Sequence, residues 1–272
     1  MDDIDLFLQE DLNKEGDITS STLFTKQQGT AEIIAKEACV IAGLEEAFQV
    51  FDRTGVSHID VYKNDGDSIE KKTIVLSLQG PIKSILIGER LALNFLCRMS
   101  GIATETKKLV DLCSSINPKC SIAATRKTTP GFRRYEKKAV VMGGGEPHRF
   151  GLFDAFMVKD NHIKGYGSLS KAINIIKTQS HGKTIEVEVE TEEQAREAAA
   201  LDVDIIMIDN FSPGKAKRIA DTIRSINPTI LIEVSGGITS ENITSYASFA
   251  DRISLGYLTH SVRGIDFSLE LK

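Results

Sequence analysis

Six short apolar runs between Ser121 and Leu255 each lead into side chains that can do chemistry. SIAAT closes on Thr125 and runs into Arg126-Lys127, and AFMV runs into Lys159-Asp160-Asn161-His162. DIIMI ends in Asp209-Asn210, TILIEV in Ser235-Gly236-Gly237 and RISL in Gly256, while TIEVEVE carries Glu186, Glu188 and Glu190. Polar residues close most strands, so one such ending says nothing. Six in register predict a shared mouth, because parallel α/β folds build their sites at the C-terminal ends of the strands.

The residue types divide that mouth into three parts. Arg126, Lys127, Arg149 and Lys159 suit an anionic substrate with carboxylate groups, since arginine offers a planar fork and lysine a point charge. Glu186, Glu188 and Glu190 alternate with valines and so share one strand face. Carboxylates facing a barrel interior need cations, a metal or water, and the basic stretch Ala124–Arg149 is the expected source of the cations. SGGI, followed some way on by LGYLTHS, predicts a phosphate site: glycines let backbone N–H groups approach phosphate, and a following helix N-terminus would add its dipole. His148, after the Gly143-Gly144-Gly145 loop, is a candidate acid, base or hydrogen-bond donor. Arg133, Arg134, Lys137 and Lys138 read instead as a solvated helix face after Pro130.

The elements that position these residues follow from hydrophobic periodicity. From about residue 115 strand-like runs alternate with helical segments such as TEEQAREAAAL and SPGKAKRIADTIRSI, the signature of a βα series with a parallel sheet. Six strands are too few for a complete eight-stranded barrel. An incomplete barrel is therefore expected, with an open doubly wound sheet as the alternative. Before residue 115, GTAEIIAKEACVIAG and KTIVLSLQGPIKSILIG read as strands, and LEEAFQVFDRTG as a helix with a glycine stop. GERLALNFLCRMSGIATETKKLVDLCSSI reads as helix with a break near Gly101.

Composition narrows the function class. The chain has 272 residues, 41% of them hydrophobic, enough for one large or two modest domains. Its net charge of -5 argues against general nucleic-acid binding, so the basic stretch is a local feature. Cys39, Cys97, Cys113 and Cys120 form no C-x-x-C pair and no zinc spacing with histidine, as expected of reduced, mostly buried thiols. No apolar run approaches a membrane span, and the acidic start MDDIDLFLQEDLNKEGD lacks the features of a signal peptide. A cytoplasmic protein is expected.

The ordered set EDLNKEGDITS, NFLCRMSGIAT, TRKTTPGFR, GGGEPHRFGL, VKDNHI, EVEVE, IDNF, SGGI and LGYLTHSV, spanning Glu10 to Val262, resembles the quinolinate phosphoribosyltransferases. The resemblance implies an N-terminal α/β sandwich domain over 1–105 and an open, incomplete TIM-like α/β barrel over 106–263, with the tail 264–272 free to return to the first domain. It implies phosphoribosyl transfer from phosphoribosyl pyrophosphate to quinolinate with decarboxylation, a requirement for Mg²⁺, and a homodimer with shared active sites that can assemble further into a hexamer. By the same resemblance Arg126, Arg149, Lys159 and His148 would hold the two carboxylates of quinolinate. Arg98 would reach in from the other subunit, and Thr125 would also contact substrate. Lys127 would lie between the two substrates. Glu188 and Asp209 would face the ribose hydroxyls and the metal or its waters, and Ser235, Gly236, Gly237 and Gly256 would bind the 5′-phosphate. Lys127, Glu188 and Asp209 are the expected catalytic residues. A Schiff-base aldolase using Lys159, the related molybdenum-operon protein and a non-catalytic phosphate-ligand sensor are the alternatives.

Overall fold

The computed structural model describes residues 3–272, which divide into two compact units. The first comprises residues 3–107, 134–144 and 261–272, and the second residues 108–133 and 145–260. A single cut at 105/106 therefore misses one feature: residues 134–144, from the middle of the basic stretch, pack in the first unit.

In the first unit, β1 (Gln28–Ala35), β3 (His58–Val61), β5 (Ile74–Pro81) and β12 (Phe267–Leu271) form an antiparallel sheet in the order β12-β1-β5-β3. A two-stranded ribbon joins β2 (Cys39–Val40) to β4 (Ser68–Ile69). On one face of β1, Ala31, Ile33 and Ala35 are fully buried, the alternation of a half-covered strand. The chain's last strand closes this sheet, with Ile33 opposite Leu269. Helices α1 (Asp3–Leu12), α2 (Ile18–Leu23) and α3 (Leu44–Thr54) complete the N-terminal part. Asp17 caps α2 by accepting from the Ser20 N–H at 2.9 Å. Gly55 ends α3 at φ 85°, the glycine stop read from the sequence.

Helix α4 (Ile82–Ser114) departs from expectation twice. PIKSILIG does not extend β5: the helix starts at Ile82, immediately after Pro81. Nor does Gly101 break it. A Cβ at Gly101 would overlap the Arg263 carbonyl oxygen and come within 3.0 Å of the Gly264 Cα. The glycine marks a close backbone approach, which sequence reasoning cannot tell from a helix break. Phe95 of α4 stacks edge-on against Phe7 and Tyr135, with ring centroids 5.9 and 4.9 Å away. Tyr135 belongs to α5 (Arg133–Met142), and this aromatic cluster explains why most of that helix sits in the first unit. Of the expected solvated face of α5, only Arg134 is exposed. Lys137 is buried, Lys138 bonds Glu45 and Glu46 at 2.5 and 2.8 Å, and Arg134 lies over the Tyr135 ring.

The second unit is one parallel sheet of β6 (Ser121–Ala123), β7 (Phe156–Val158), β8 (Ile185–Val189), β9 (Ile205–Asp209), β10 (Leu231–Ser235) and β11 (Arg252–Ser254). Its order is β6-β11-β10-β9-β8-β7. The six strands are those read from the sequence. β6 and β7 do not pair, so the barrel is incomplete. Helices α6 (Asp160–Tyr166), α7 (Leu169–Gln179), α8 (Glu192–Ala200), α9 (Pro213–Ile226), α10 (Thr244–Ala247) and α11 (Tyr257–His260) alternate with the strands. Ile219 and Ile223 of α9 share the core with Ile206, Ile208, Ile232 and Val234. Each such side chain contributes about 1.5–3 kcal/mol when fully buried. This apolar packing fixes the strand ends on which the polar residues sit.

Candidate active site

The C-terminal strand ends open into a cavity of about 760 Å³, within the range of small-molecule sites. Thr125, Arg126, Lys127, His148, Arg149, Lys159, Glu188, Asp209, Ser235, Gly236, Gly237 and Gly256 all line it. Of the expected site residues only Arg98 does not. It lies in the first unit, where its Nε and Nη2 donate to the buried Glu136 at 3.2 and 2.7 Å, and its Nη1 donates to the Val262 carbonyl at 3.1 Å.

Strand order sorts the lining by charge. Lys127 follows β6, Gly256 follows β11 and the Ser235–Gly237 turn closes β10. Asp209 ends β9, Glu188 lies near the end of β8, and Lys159 follows β7. The cations thus come from the two edge strands, with glycines and carboxylates between. Arg126, beyond β6, raises the local potential at Arg149, just before β7. Burial first, and then the Arg126 charge, holds the Arg149 guanidinium below its ordinary pKa. Arg149 itself is held by Met157, its Nη2 lying 3.1 Å from the sulfur. The Nε of Arg126 is buried without a hydrogen-bond partner. Two guanidiniums sharing a recess, one carrying an orphaned donor, form an anion receptor.

The carboxylates divide differently from the sequence expectation. Glu190 lies past the end of β8, exposed, with its N–H donating to Gln194 at 2.8 Å. Glu188 pairs with Lys159 of the neighbouring strand, not with the basic stretch. Asp209 has its acidity weakened, first by burial and then by the nearby Glu188 charge. Glu186 is buried, and burial followed by the Glu233 charge pushes it up to about 8. His148 Nε2 lies 3.2 Å from Glu233 and 3.5 Å from Glu186. Arg252 donates to Glu233 at 3.2 Å and to Glu146 at 2.8 Å. His148, Glu186 and Glu233 are the ligand types of a metal centre, but the Arg252 guanidinium already supplies the positive charge on Glu233.

Glu233 and Arg252 were missed by sequence reasoning. One signal was available: Glu233 is a lone acid in the apolar strand TILIEV, and a parallel strand covered on both faces has no place for an unpaired charge. His162, considered for chemistry, has a local role: its Nδ1 accepts the Lys159 N–H at 3.0 Å and caps α6. Arg133 also departs from the helix-face reading, since it joins two loops by donating to Thr128 Oγ1 at 3.0 Å and to the Phe150 carbonyl at 3.1 Å.

The segment expected to bind phosphate is a turn, not a helix terminus. α10 starts only at Thr244 and has four residues, so it offers no dipole to SGGI. Gly236 and Gly237 instead have φ of 87° and 61°, a run of left-handed residues of the kind that turns successive N–H groups towards an anion. A Cβ at Gly256 would lie 2.8 Å from Lys127 Cδ, so that glycine lets the lysine stem pass.

This geometry agrees with the comparisons to known proteins. The family model "Quinolinate phosphoribosyl transferase, C-terminal domain" matches residues 102–270, and the corresponding N-terminal domain model matches residues 17–100. A probable nicotinate-nucleotide pyrophosphorylase [carboxylating] of Archaeoglobus fulgidus is 43% identical over 259 residues, covering 94% of this chain and 98% of that one. A rat nicotinate-nucleotide pyrophosphorylase [carboxylating] is 36% identical, covering 97% of this chain and 88% of the relative. The solved nicotinate-nucleotide pyrophosphorylase of Francisella tularensis superposes with a TM-score of 0.92 at 36% identity, covering 99% and 94% of the two chains. Among the described residues no helix is long and apolar enough to cross a membrane. With both domain models matched in order, the chain belongs to the quinolinate phosphoribosyl transferase family.

Proposed function

We propose that this chain transfers phosphoribosyl from phosphoribosyl pyrophosphate to quinolinate with decarboxylation. The products are nicotinate mononucleotide, pyrophosphate and carbon dioxide, which makes it a step of de novo NAD synthesis. The observation that carries this reading is a single cavity joining paired guanidiniums to a glycine turn and two strand-end carboxylates. The names of the relatives supply the reaction, and the residues supply its physics.

Arg126, Arg149, Lys159 and His148 hold the two carboxylates of quinolinate, and Thr125 contributes a further contact. Ser235, Gly236, Gly237 and Gly256 take the 5′-phosphate through backbone groups. Lys127 stands between the substrates. The C1–O bond to pyrophosphate breaks with its electron pair going to the leaving group, and the ribose C1 becomes positive. Glu188 and Asp209 stabilise that charge. The pyridine nitrogen, held in place by its carboxylates, gives its lone pair to C1. The bond from C2 to its carboxylate then breaks, leaving its electron pair on the ring under the positive nitrogen; C2 takes a proton and carbon dioxide leaves. No step needs a lysine nucleophile, and the engagement of Lys159 with Glu188 favours a charge role over the Schiff-base alternative.

Mg²⁺ belongs to this reading. Asp209 and Glu188 end neighbouring strands as oxygen donors, and their mutual repulsion is relieved by a hard divalent cation. Held by Asp209 and Glu188 together with phosphoribosyl pyrophosphate, it would supply positive charge to the departing pyrophosphate.

The test is turnover: quinolinate labelled in its C2 carboxylate, phosphoribosyl pyrophosphate and Mg²⁺ should give nicotinate mononucleotide and labelled carbon dioxide in equal amounts, and chelation should stop both. Absence of either product defeats the proposal. A cytoplasmic homodimer, able to assemble into a hexamer, completes it, with Arg98 entering the neighbouring subunit's site. Mixing inactive Arg98→Ala with inactive Lys127→Ala should then restore activity approaching about a quarter of wild type, because some hybrid sites contain neither lesion. No restoration after subunit exchange argues against shared sites.

A further inference from the structure

Glu233 has no part in the reaction described above, yet it is fully buried in the barrel. Strand alternation puts its buried neighbours Ile232 and Val234 in the apolar core on the opposite face, so Glu233 turns to the cavity, where a buried carboxylate needs specific partners. Arg252 lies opposite it in the β10–β11 register and donates to it at 3.2 Å. The same guanidinium grips Glu146 at 2.8 Å. Glu146 is tied to β6 through backbone bonds, its N–H to the Ile122 carbonyl at 2.7 Å and its carbonyl from the Ala124 N–H at 2.9 Å. Two residues later the chain takes φ 53° at His148, a left-handed turn uncommon for a residue with a side chain. That turn sets the ring's Nε2 3.2 Å from Glu233 Oε2. One arginine thus fixes the floor carboxylate and the loop that carries the histidine.

We infer that Glu233 is a positioning residue for His148. Held by Arg252, it accepts the Nε2 proton and so fixes the orientation of the ring and supports its imidazolium form, in which the Nδ1 proton is left to donate to a quinolinate carboxylate. This rests on the reading of His148 as an acceptor-binding residue. The hydrogen bond at one imidazole nitrogen decides which nitrogen is protonated. Arg252 and His148 both meet the same oxygen, Oε2, so a glutamine at 233 can still offer one oxygen to the two donors, but it removes the negative charge that strengthens both bonds and holds the ring.

The experiment has two arms. Nitrogen-15 NMR of the wild-type protein, with the His148 ring assigned by comparison with His148→Asn, should show Nε2 protonated. A ring bearing its proton on Nδ1 alone overturns the inference, and this arm needs no activity. In kinetics, Glu233→Gln should raise the KM for quinolinate on the order of tenfold to hundredfold, as expected for a misplaced binding group, with the KM for phosphoribosyl pyrophosphate unchanged. Adding Glu233→Gln to His148→Ala should cost nothing further in kcat/KM for quinolinate. Additive losses, or equal losses for both substrates, mean that Glu233 acts as a general structural element and defeat the inference. If quinolinate is not a substrate at all, the functional reading fails while the NMR result still decides the positioning role.

Discussion

Arg149→Ala is expected to lower kcat/KM for quinolinate by about 10²- to 10⁴-fold, the loss of two charge-assisted hydrogen bonds at about 1.5–3 kcal/mol each. The KM for phosphoribosyl pyrophosphate should stay within about twofold, because the proposed phosphate-binding residues Ser235, Gly236, Gly237 and Gly256 end or follow β10 and β11. The size of the effect follows from the surroundings of the side chain. Arg149 makes no ion pair with a carboxylate among the described residues, and its guanidinium is partly desolvated beside that of Arg126. The Glu186, Glu188 and Asp154 charges offset this only in part, and a substrate carboxylate would add to that offset. Arg149→Lys should recover part of the loss, since it restores the charge but not the planar fork. Steady-state kinetics with each substrate varied in turn checks this. Equal losses for both substrates would remove Arg149 from the acceptor clamp.

Gly236→Ala is expected to raise the KM for phosphoribosyl pyrophosphate by about 10²-fold and to destabilise the protein by about 1–3 kcal/mol. A Cβ there would overlap Asn210 Oδ1 and lie 2.7 Å from the Asn210 backbone nitrogen, at a φ of 87° that only glycine adopts freely. Asn210 cannot simply move. It is itself left-handed at φ 60°, its N–H donates to the Ser235 carbonyl at 3.0 Å, and its amide donates to Asp209 at 2.6 Å. Displacing it therefore moves a strand-end carboxylate as well as the turn. Gly237→Ala is the internal comparison: nothing lies within 4 Å of its added Cβ, so only the backbone cost at φ 61° applies. A Gly236→Ala protein that binds phosphoribosyl pyrophosphate as wild type does would remove the glycine turn from the phosphate site. Denaturant unfolding of both variants separates the stability effect from the binding effect.

The sequence was most informative where one periodicity ran without interruption. The six strands of the barrel were legible because each is a short apolar run with a polar ending, and ten of the expected lining residues were legible because those endings share one rim; His148 and Arg149 come from the loop between α5 and β7. Gly101 was misread because a glycine in a long helix signals either a break or a close approach, and only the position of Arg263 decides between them. The basic run Arg133–Lys138 was misread for a related reason. Its charges look solvent-facing in one dimension, but Glu45, Glu46 and the Tyr135 ring come from elsewhere in the first unit. The Glu233–Arg252 pair depends on strand register between residues 19 apart, which no local pattern encodes. Likewise Glu188 and Lys159 meet only because β7 and β8 are neighbours.

The central claim is that the cavity recognises a dicarboxylic pyridine and joins it to phosphoribose. Comparing quinolinate with nicotinate as acceptor, at saturating phosphoribosyl pyrophosphate and Mg²⁺, tests it most directly, because the two acids differ only by the carboxylate that the paired guanidiniums are arranged to meet. Quinolinate should be preferred in kcat/KM by at least about 10³-fold, the contribution of a desolvated charge pair with its hydrogen bonds. Equal use of the two acids would contradict the account.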